Sequence, residues 1–76
     1  MDRKVEVLKR FGGHLTALRE AKNVTVQELA AATGLTSHTL RRIEAGKVDI
    51  LFSTVVVLSK ALQITPGELL QSLDPY

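Results

Sequence analysis

The 76-residue sequence predicts a single all-α domain built from five helices. Apolar residues recur at three- and four-residue steps, which is the spacing of an amphipathic helix. Two Thr-x-x-Glu patterns, Thr25 to Glu28 and Thr65 to Glu68, are typical of helix starts. Aromatic residues make up only 4% of the chain, and leucine, valine and alanine dominate. This composition favours interdigitating helices over an aromatic-rich β-sandwich.

Composition also limits the kinds of site that the chain can hold. It has no cysteine, which excludes disulfides and thiolate metal sites. Its core must therefore come from apolar packing, in a chain close to the lower size limit for folding without such staples. The formal net charge is only +2, so the arrangement of charge says more about a polyanionic partner than the total does.

The sequence favours a binding protein over an enzyme. It shows no nucleophile paired with a base, no cluster of metal ligands and no phosphate-cradling glycine-rich loop, so we expect no catalysis, cofactor or metal. No apolar run approaches the ~20 residues of a membrane span, and the N-terminus lacks the apolar segment of a signal peptide. We therefore expect a cytoplasmic protein with no membrane partner.

The first helix is expected over residues 4–22. Its apolar positions follow a helical spacing: Val5, Leu8, Phe11, Leu15 and Leu18. Gly12 and Gly13 disfavour a helix interior, at a cost of about 1 kcal/mol each relative to alanine. They leave open a break in this segment, with the first helix proper beginning near Phe11.

The next two helices are short and closely spaced. Thr25 is expected to cap a second helix that runs to about residue 33 and stops at Gly34, where a left-handed residue can end a helix. The third helix takes Thr36 or Ser37 as its cap and ends near residues 45–46. Helical phase turns its residues Leu40 and Ile43 inward.

Two further helices complete the prediction. Residues 47–52 are expected to form an unusually apolar loop, after which Ser53 caps a fourth helix over 54–63. Thr65 caps the fifth, with Pro66 at its first position. The residues expected to share one core are Leu18, Leu29, Leu40, Ile43, Leu58 and Leu62.

Residues 25–47 are the most informative stretch for function. Two short helices meet at a tight turn, and the outer side of the second of them is left with Ser37, His38, Arg41 and Arg42. Cations beside small polar groups can enter a major groove and hydrogen-bond base edges. These residues therefore predict a helix-turn-helix that binds double-stranded DNA. The alternative is an ordinary solvated face, on which His38 is a plain exposed residue.

The chain resembles the Cro/cI, or XRE-type, phage-repressor helix-turn-helix domains. The resemblance covers residues 8–71 and rests on the joint order and spacing of short motifs. Those motifs are Phe11-Gly12, Leu18-Arg19-Glu20, Leu29-Ala30, Gly34-Leu35-Thr36, Arg42-Ile43-Glu44-x-Gly46-Lys47, Leu58-x-Lys60-Ala61-Leu62 and Pro66-x-Glu68-Leu69-Leu70. It implies a compact five-helix, lambda-repressor-like bundle, with residues 1–76 forming one DNA-binding domain.

The resemblance also implies roles for individual residues. By position, Ser37, His38 and Arg42 match base contacts, with Arg41 beside them. Thr36 and Lys47 match phosphate contacts. Arg19 and Glu44 match a largely buried ion pair, which would neutralise the one acid on the basic third helix; the alternative is two independent surface charges.

Several positions depart from that pattern and weaken the expected grip on phosphate. Val26 stands where the family often has a phosphate-binding glutamine. The neighbouring Gln27 is the candidate to replace it, which requires the helix to be rotated. Ala45 stands in place of a common phosphate-binding asparagine. The basic segment at the start of the chain, with Arg3, Lys4, Lys9 and Arg10, is a candidate to supply other phosphate contacts. The alternative is that this segment does not contact DNA.

The sequence leaves two functional hypotheses open. The first is a sequence-specific transcriptional regulator, a repressor, that binds a pseudo-palindromic operator as a homodimer. Its dimer interface is expected at Ile50, Leu51 and Val57, because helical phase places Val57 on the polar side of the fourth helix, away from Phe52. A tolerated exposed valine is the alternative explanation. The second hypothesis is an antitoxin-like subunit whose main partner is a toxin-like protein and whose DNA contact is secondary.

Overall fold

The structure is a computed structural model that describes residues 3–73. It contains the helices α1 (Arg3–Ala21), α2 (Val26–Thr33), α3 (Ser37–Glu44), α4 (Phe52–Ala61) and α5 (Pro66–Leu70), followed by a 3-10 turn at Gln71–Leu73. No strand occurs in this range. The prediction of an all-α fold with five helices is therefore confirmed.

Both predicted capping boxes are present. The Oγ1 atom of Thr25 accepts a hydrogen bond from the Glu28 backbone N at 3.0 Å, and Glu28 Oε1 accepts one from the Thr25 N at 2.8 Å. The bond from the Thr25 backbone lowers the pKa of Glu28, because it favours the charged carboxylate. Thr65 and Glu68 make the same pair of bonds at the start of α5. These side chains satisfy backbone donors that a helix start leaves unpaired.

The start of α4 differs from the prediction. The helix begins at Phe52, and Leu51 rather than Ser53 is its N-cap residue, with no side-chain cap bond. The Leu51 carbonyl accepts hydrogen bonds from the backbone N of Thr54 and Val55, so the backbone alone forms the first turn. Phe52, which the sequence placed in the loop of residues 47–52, is therefore the first residue of α4. Its side chain is 70% exposed.

One core joins all five helices. Its buried apolar residues are Phe11, Leu15, Leu29, Ala30, Leu40, Ile43, Val55, Leu58, Leu62 and Leu69. Five of the six residues predicted for the core are among them. The sixth, Leu18, is partly buried and packs against the same cluster.

The helix α1 runs without a break through its two glycines, which differs from the break that the sequence left open. Gly12 is buried where α1 crosses the end of α3. A Cβ atom there would lie 2.4 Å from the Glu44 carbonyl oxygen and 2.6 Å from that of Ile43. At Gly13 a Cβ atom would meet nothing within 4 Å. Only Gly12 is therefore required by the close approach of the two helix backbones.

An ion pair reinforces this crossing. The Nε atom of Arg19 donates to Glu44 Oε2 at 2.8 Å, and its Nη2 donates to Oε1 at 3.1 Å. Thr16 Oγ1 donates to the same Oε1 at 3.0 Å. The Arg19 and Glu44 side chains are only 11% and 10% exposed. The hydrogen bond to Glu44 raises the pKa of Arg19, which outweighs the opposite effect of burial.

Arg19 also ties the ion pair to the start of α2. Its Nη1 atom donates to the backbone oxygen of Val24 at 2.8 Å, one residue before the α2 cap. One guanidinium therefore contacts both the end of α3 and the entry to α2. This bonding fixes the two short helices against α1.

The two adjacent glycines of α1 give a matched test of the crossing. Gly12→Ala is expected to destabilise the fold by about 1–3 kcal/mol, because its methyl group meets the α3 backbone. Gly13→Ala is expected to stabilise it by about 0.5–1 kcal/mol through helix propensity alone. Urea denaturation of both variants measures the difference, and an equal effect of the two changes would contradict the assigned contact.

The ion pair gives a second prediction. Glu44→Ala is expected to lower the free energy of unfolding by about 3–5 kcal/mol, because it leaves the Arg19 guanidinium shielded and without its carboxylate. Glu6→Ala, at an exposed position in the first turn of α1, serves as the control and is expected to change it by less than about 1 kcal/mol. Thermal and urea unfolding measure both variants. Similar small losses in the two would show that the pair is not buried in solution.

Candidate nucleic-acid interface

The turn between α2 and α3 aligns the two helices. Gly34 ends α2 in the left-handed conformation, with φ of 76°, and its N–H bonds to the Ala30 carbonyl. The Leu35 N also bonds to Ala30 O, at 3.1 Å. Thr36 then caps α3, as one of the two caps that the sequence allowed. The reversal is complete within three residues, which is the compact turn of a helix-turn-helix.

The outer side of α3 brings together the four residues predicted to contact bases. His38, Arg41 and Arg42 are exposed, and Ser37 is half-buried. Because successive residues turn by about 100°, these four positions span an arc of about 140°. Leu40 and Ile43 occupy the opposite side and are buried in the core.

The charge on this surface follows from the ion pair. Glu44 is the only acid of α3, and Arg19 draws its carboxylate to the inner side of the helix. Arg41 and Arg42 therefore dominate the outer side. A surface of this sign attracts polyanions, and the arginine side chain can also hydrogen-bond guanine through two atoms at once.

The residues predicted to contact phosphate differ in their availability. Thr36 Oγ1 accepts from the Thr39 N at 3.0 Å and donates to Thr39 Oγ1 at 2.9 Å, so its hydroxyl serves the helix cap. Lys47 and Gln27 are exposed. Val26 is the first residue of α2 and packs partly against the core.

The predicted dimer residues fall into two groups. Leu51 is 73% exposed and Val57 is 42% exposed, whereas Ile50 is half-buried and packs against the core. Phe52, which the sequence analysis did not assign to this surface, is 70% exposed beside Leu51. We call Leu51, Phe52 and Val57 the apolar patch, in which helical phase turns Val57 about 140° from Phe52 around α4. The sequence analysis missed Phe52 because it took Ser53 as the cap of α4, whereas the helix begins at Phe52.

An open depression connects the apolar patch to α3. It has a volume of about 360 Å³, with His38 and Arg42 on one side and Val48, Ile50 and Leu51 on the other. The sequence did not predict this depression, because it depends on how the loop of residues 47–51 lies against α3. A molecule that covers Leu51 therefore lies beside the outer surface of α3.

The structure gives no sign of a metal centre or a membrane span within residues 3–73. No group of three or more metal-ligating side chains occurs there, and no helix in that range is long and apolar enough to cross a membrane. His14, which the sequence did not assign to a metal, lies with its Nε2 atom 3.0 Å from the Glu68 carbonyl oxygen. This contact joins α1 to α5.

Comparison with known proteins identifies relatives of this arrangement. A family model described as the Cro/C1-type HTH DNA-binding domain matches residues 14–72. The HTH-type transcriptional repressor RghR of Bacillus subtilis (strain 168) is 38% identical over 58 residues. That stretch covers 75% of this chain and 43% of the repressor, so the chain spans less than half of that relative.

Two solved structures resemble the fold. The restriction-modification controller protein C.AhdI from Aeromonas hydrophila has a TM-score of 0.80 at 34% identity, covering 82% of this chain and 94% of that one. The clp gene regulator ClgR from Corynebacterium glutamicum has a TM-score of 0.84 at 24% identity, covering 87% and 70%, and this likeness concerns the fold. Since the family model matches most of the sequence, the chain belongs to the family of Cro/C1-type helix-turn-helix DNA-binding domains.

Proposed function

We propose that the chain is a sequence-specific transcriptional regulator that acts as a repressor and binds double-stranded DNA through α3. The observation that carries this proposal is the outer side of α3. It presents Arg41 and Arg42 in the exposed state, while the single acid of the helix is held against Arg19. The similarity to RghR, which is named as a repressor, supports the regulatory role. A cytoplasmic location is consistent with a DNA partner, and the proposed role requires no enzymatic step.

The proposal includes a homodimer on a pseudo-palindromic operator. A two-fold dimer that sets two copies of α3 about 34 Å apart would place both on the same face of DNA, one helical turn apart. The apolar patch is the surface that supports such a contact, because Leu51 and Phe52 leave most of their side chains in water. Its position beside α3, across the depression, is compatible with DNA contacts from both copies.

A second candidate is an antitoxin-like subunit whose main partner is a toxin-like protein. The observation that favours it is the same apolar patch. In addition, Val26 and Ala45 stand where related domains often have phosphate-binding side chains. The two candidate functions predict different binding partners for the purified protein. A gel shift against genomic fragments supports the regulator, and a stoichiometric protein that co-purifies while no fragment shifts supports the antitoxin-like subunit.

Two single variants separate base contacts from phosphate contacts. Selection from a random DNA pool supplies a matched duplex, and a scrambled duplex of the same composition is its control. Arg42→Ala is expected to weaken matched DNA by about 1–3 kcal/mol and to relax preference at one base pair per half-site. Lys47→Gln is expected to weaken both duplexes equally and to lower the salt slope by about 0.9 per site. An equal loss on both duplexes for Arg42→Ala would make it a backbone contact and leave Ser37, His38 or Arg41 as the reader.

Another prediction concerns the dimer. Val57→Glu is expected to give monomers that bind weakly, because it places a charge inside the apolar interface. Val5→Glu is a matched control, since Val5 is 43% exposed on α1 and Val57 is 42% exposed. Sedimentation measures the mass of both variants. An unchanged mass for Val57→Glu would place the interface elsewhere.

A further inference from the structure

The cations of the chain are unevenly distributed. Of the ten lysines and arginines, four lie in the first half of α1 and three lie on α3 or just beyond it. The first group is Arg3, Lys4, Lys9 and Arg10, and the second is Arg41, Arg42 and Lys47. Their position relative to one another decides whether they form one surface.

A close backbone contact brings the two groups together. A Cβ atom at Gly46 would lie 2.8 Å from the Cα atom of Lys9, so α1 passes directly over the turn that follows α3. Lys47 is the next residue along the chain. Lys9 and Lys47 are both exposed, and they flank this contact from α1 and from the turn.

A second contact lies about one and a half turns of α1 further out. Lys4 Nζ is 3.1 Å from Asp49 Oδ2, and both side chains are exposed. The first half of α1 therefore follows the loop of residues 47–51. An exposed ion pair of this kind contributes little, so a phosphate can compete with the Asp49 carboxylate for Lys4.

We propose that the first half of α1 is a second grip on the DNA backbone, in which Lys4 and Lys9 bind phosphates beside those bound through Lys47. This inference rests on the proposed function and extends it from α3 to α1. It accounts for how the protein holds DNA although Val26 and Ala45 lack phosphate-binding groups. Lysine suits the task, since its ammonium group is a compact charge on a flexible stem that binds phosphate without reading sequence.

A pair of double variants tests the grip. Lys4→Gln/Lys9→Gln removes two charges from the proposed surface. The control Lys22→Gln/Lys60→Gln removes two charges elsewhere, since Lys22 borders Ala61 and Gln63 at the far end of α4 and Lys60 is exposed on that helix. Fluorescence anisotropy with the selected and scrambled duplexes across a salt series gives the slope of log K against log salt concentration. Circular dichroism checks that each variant is folded.

The grip predicts a drop in that slope of about 1.8 per protomer for Lys4→Gln/Lys9→Gln, with equal loss on both duplexes. The control is expected to keep the wild-type slope. Asp49→Asn is expected to raise affinity for both duplexes, because it removes a negative charge beside Lys4 that competes with phosphate. Equal drops in the two double variants, or an unchanged slope in the first, would overturn the inference.

The outcome is separable from that of the proposed function. If Arg42→Ala relaxes base preference while Lys4→Gln/Lys9→Gln keeps the wild-type slope, only the grip on α1 is wrong. If the wild-type protein binds no duplex, the proposed function fails together with this extension.

Discussion

The contact between Arg19 and Glu44 is the interaction on which the outer surface of α3 depends. It joins α1 to the last residue of α3, and through the Val24 carbonyl it also reaches the entry to α2. Both side chains are largely buried, so the loss of either one would leave an unpaired buried charge and destabilise the fold. The same contact withdraws the only acid of α3 from the outer side. One ion pair thus fixes both the placement of the helix and the sign of its surface.

The crossing of α1 and α3 extends this arrangement toward the loop after α3. Gly12 lets the two backbones approach, and Gly46 meets α1 again near Lys9. The loop of residues 47–51 then leaves α3 beside the first half of α1 and ends at the exposed side chains of Leu51 and Phe52. The surfaces proposed for base reading, phosphate binding and dimer formation are consequently neighbours. A change at the crossing is expected to disturb all of them together.

Local signals made most of the fold predictable from sequence. The capping boxes at Thr25 and Thr65 involve residues three apart, so the sequence shows both partners of each bond. The resemblance paired Arg19 with Glu44, and the structure places their polar atoms 2.8 Å apart. The role of Gly12 could not be predicted from its neighbours in the sequence, because it depends on a contact with the backbone of Ile43, which lies 31 residues further along the chain. The start of α4 was also missed, since Leu51 caps it through its backbone and leaves no side-chain signal.

The proposed function requires α3 to contact base edges in the major groove. Methylation interference on the selected duplex tests it most directly, because guanine N7 lies in the major groove and adenine N3 in the minor groove. We expect methylation of guanine N7 within each half-site to prevent binding of the wild-type protein, and methylation of adenine N3 there to leave binding unchanged. Interference at adenine N3 alone would contradict it and would place the protein in the minor groove.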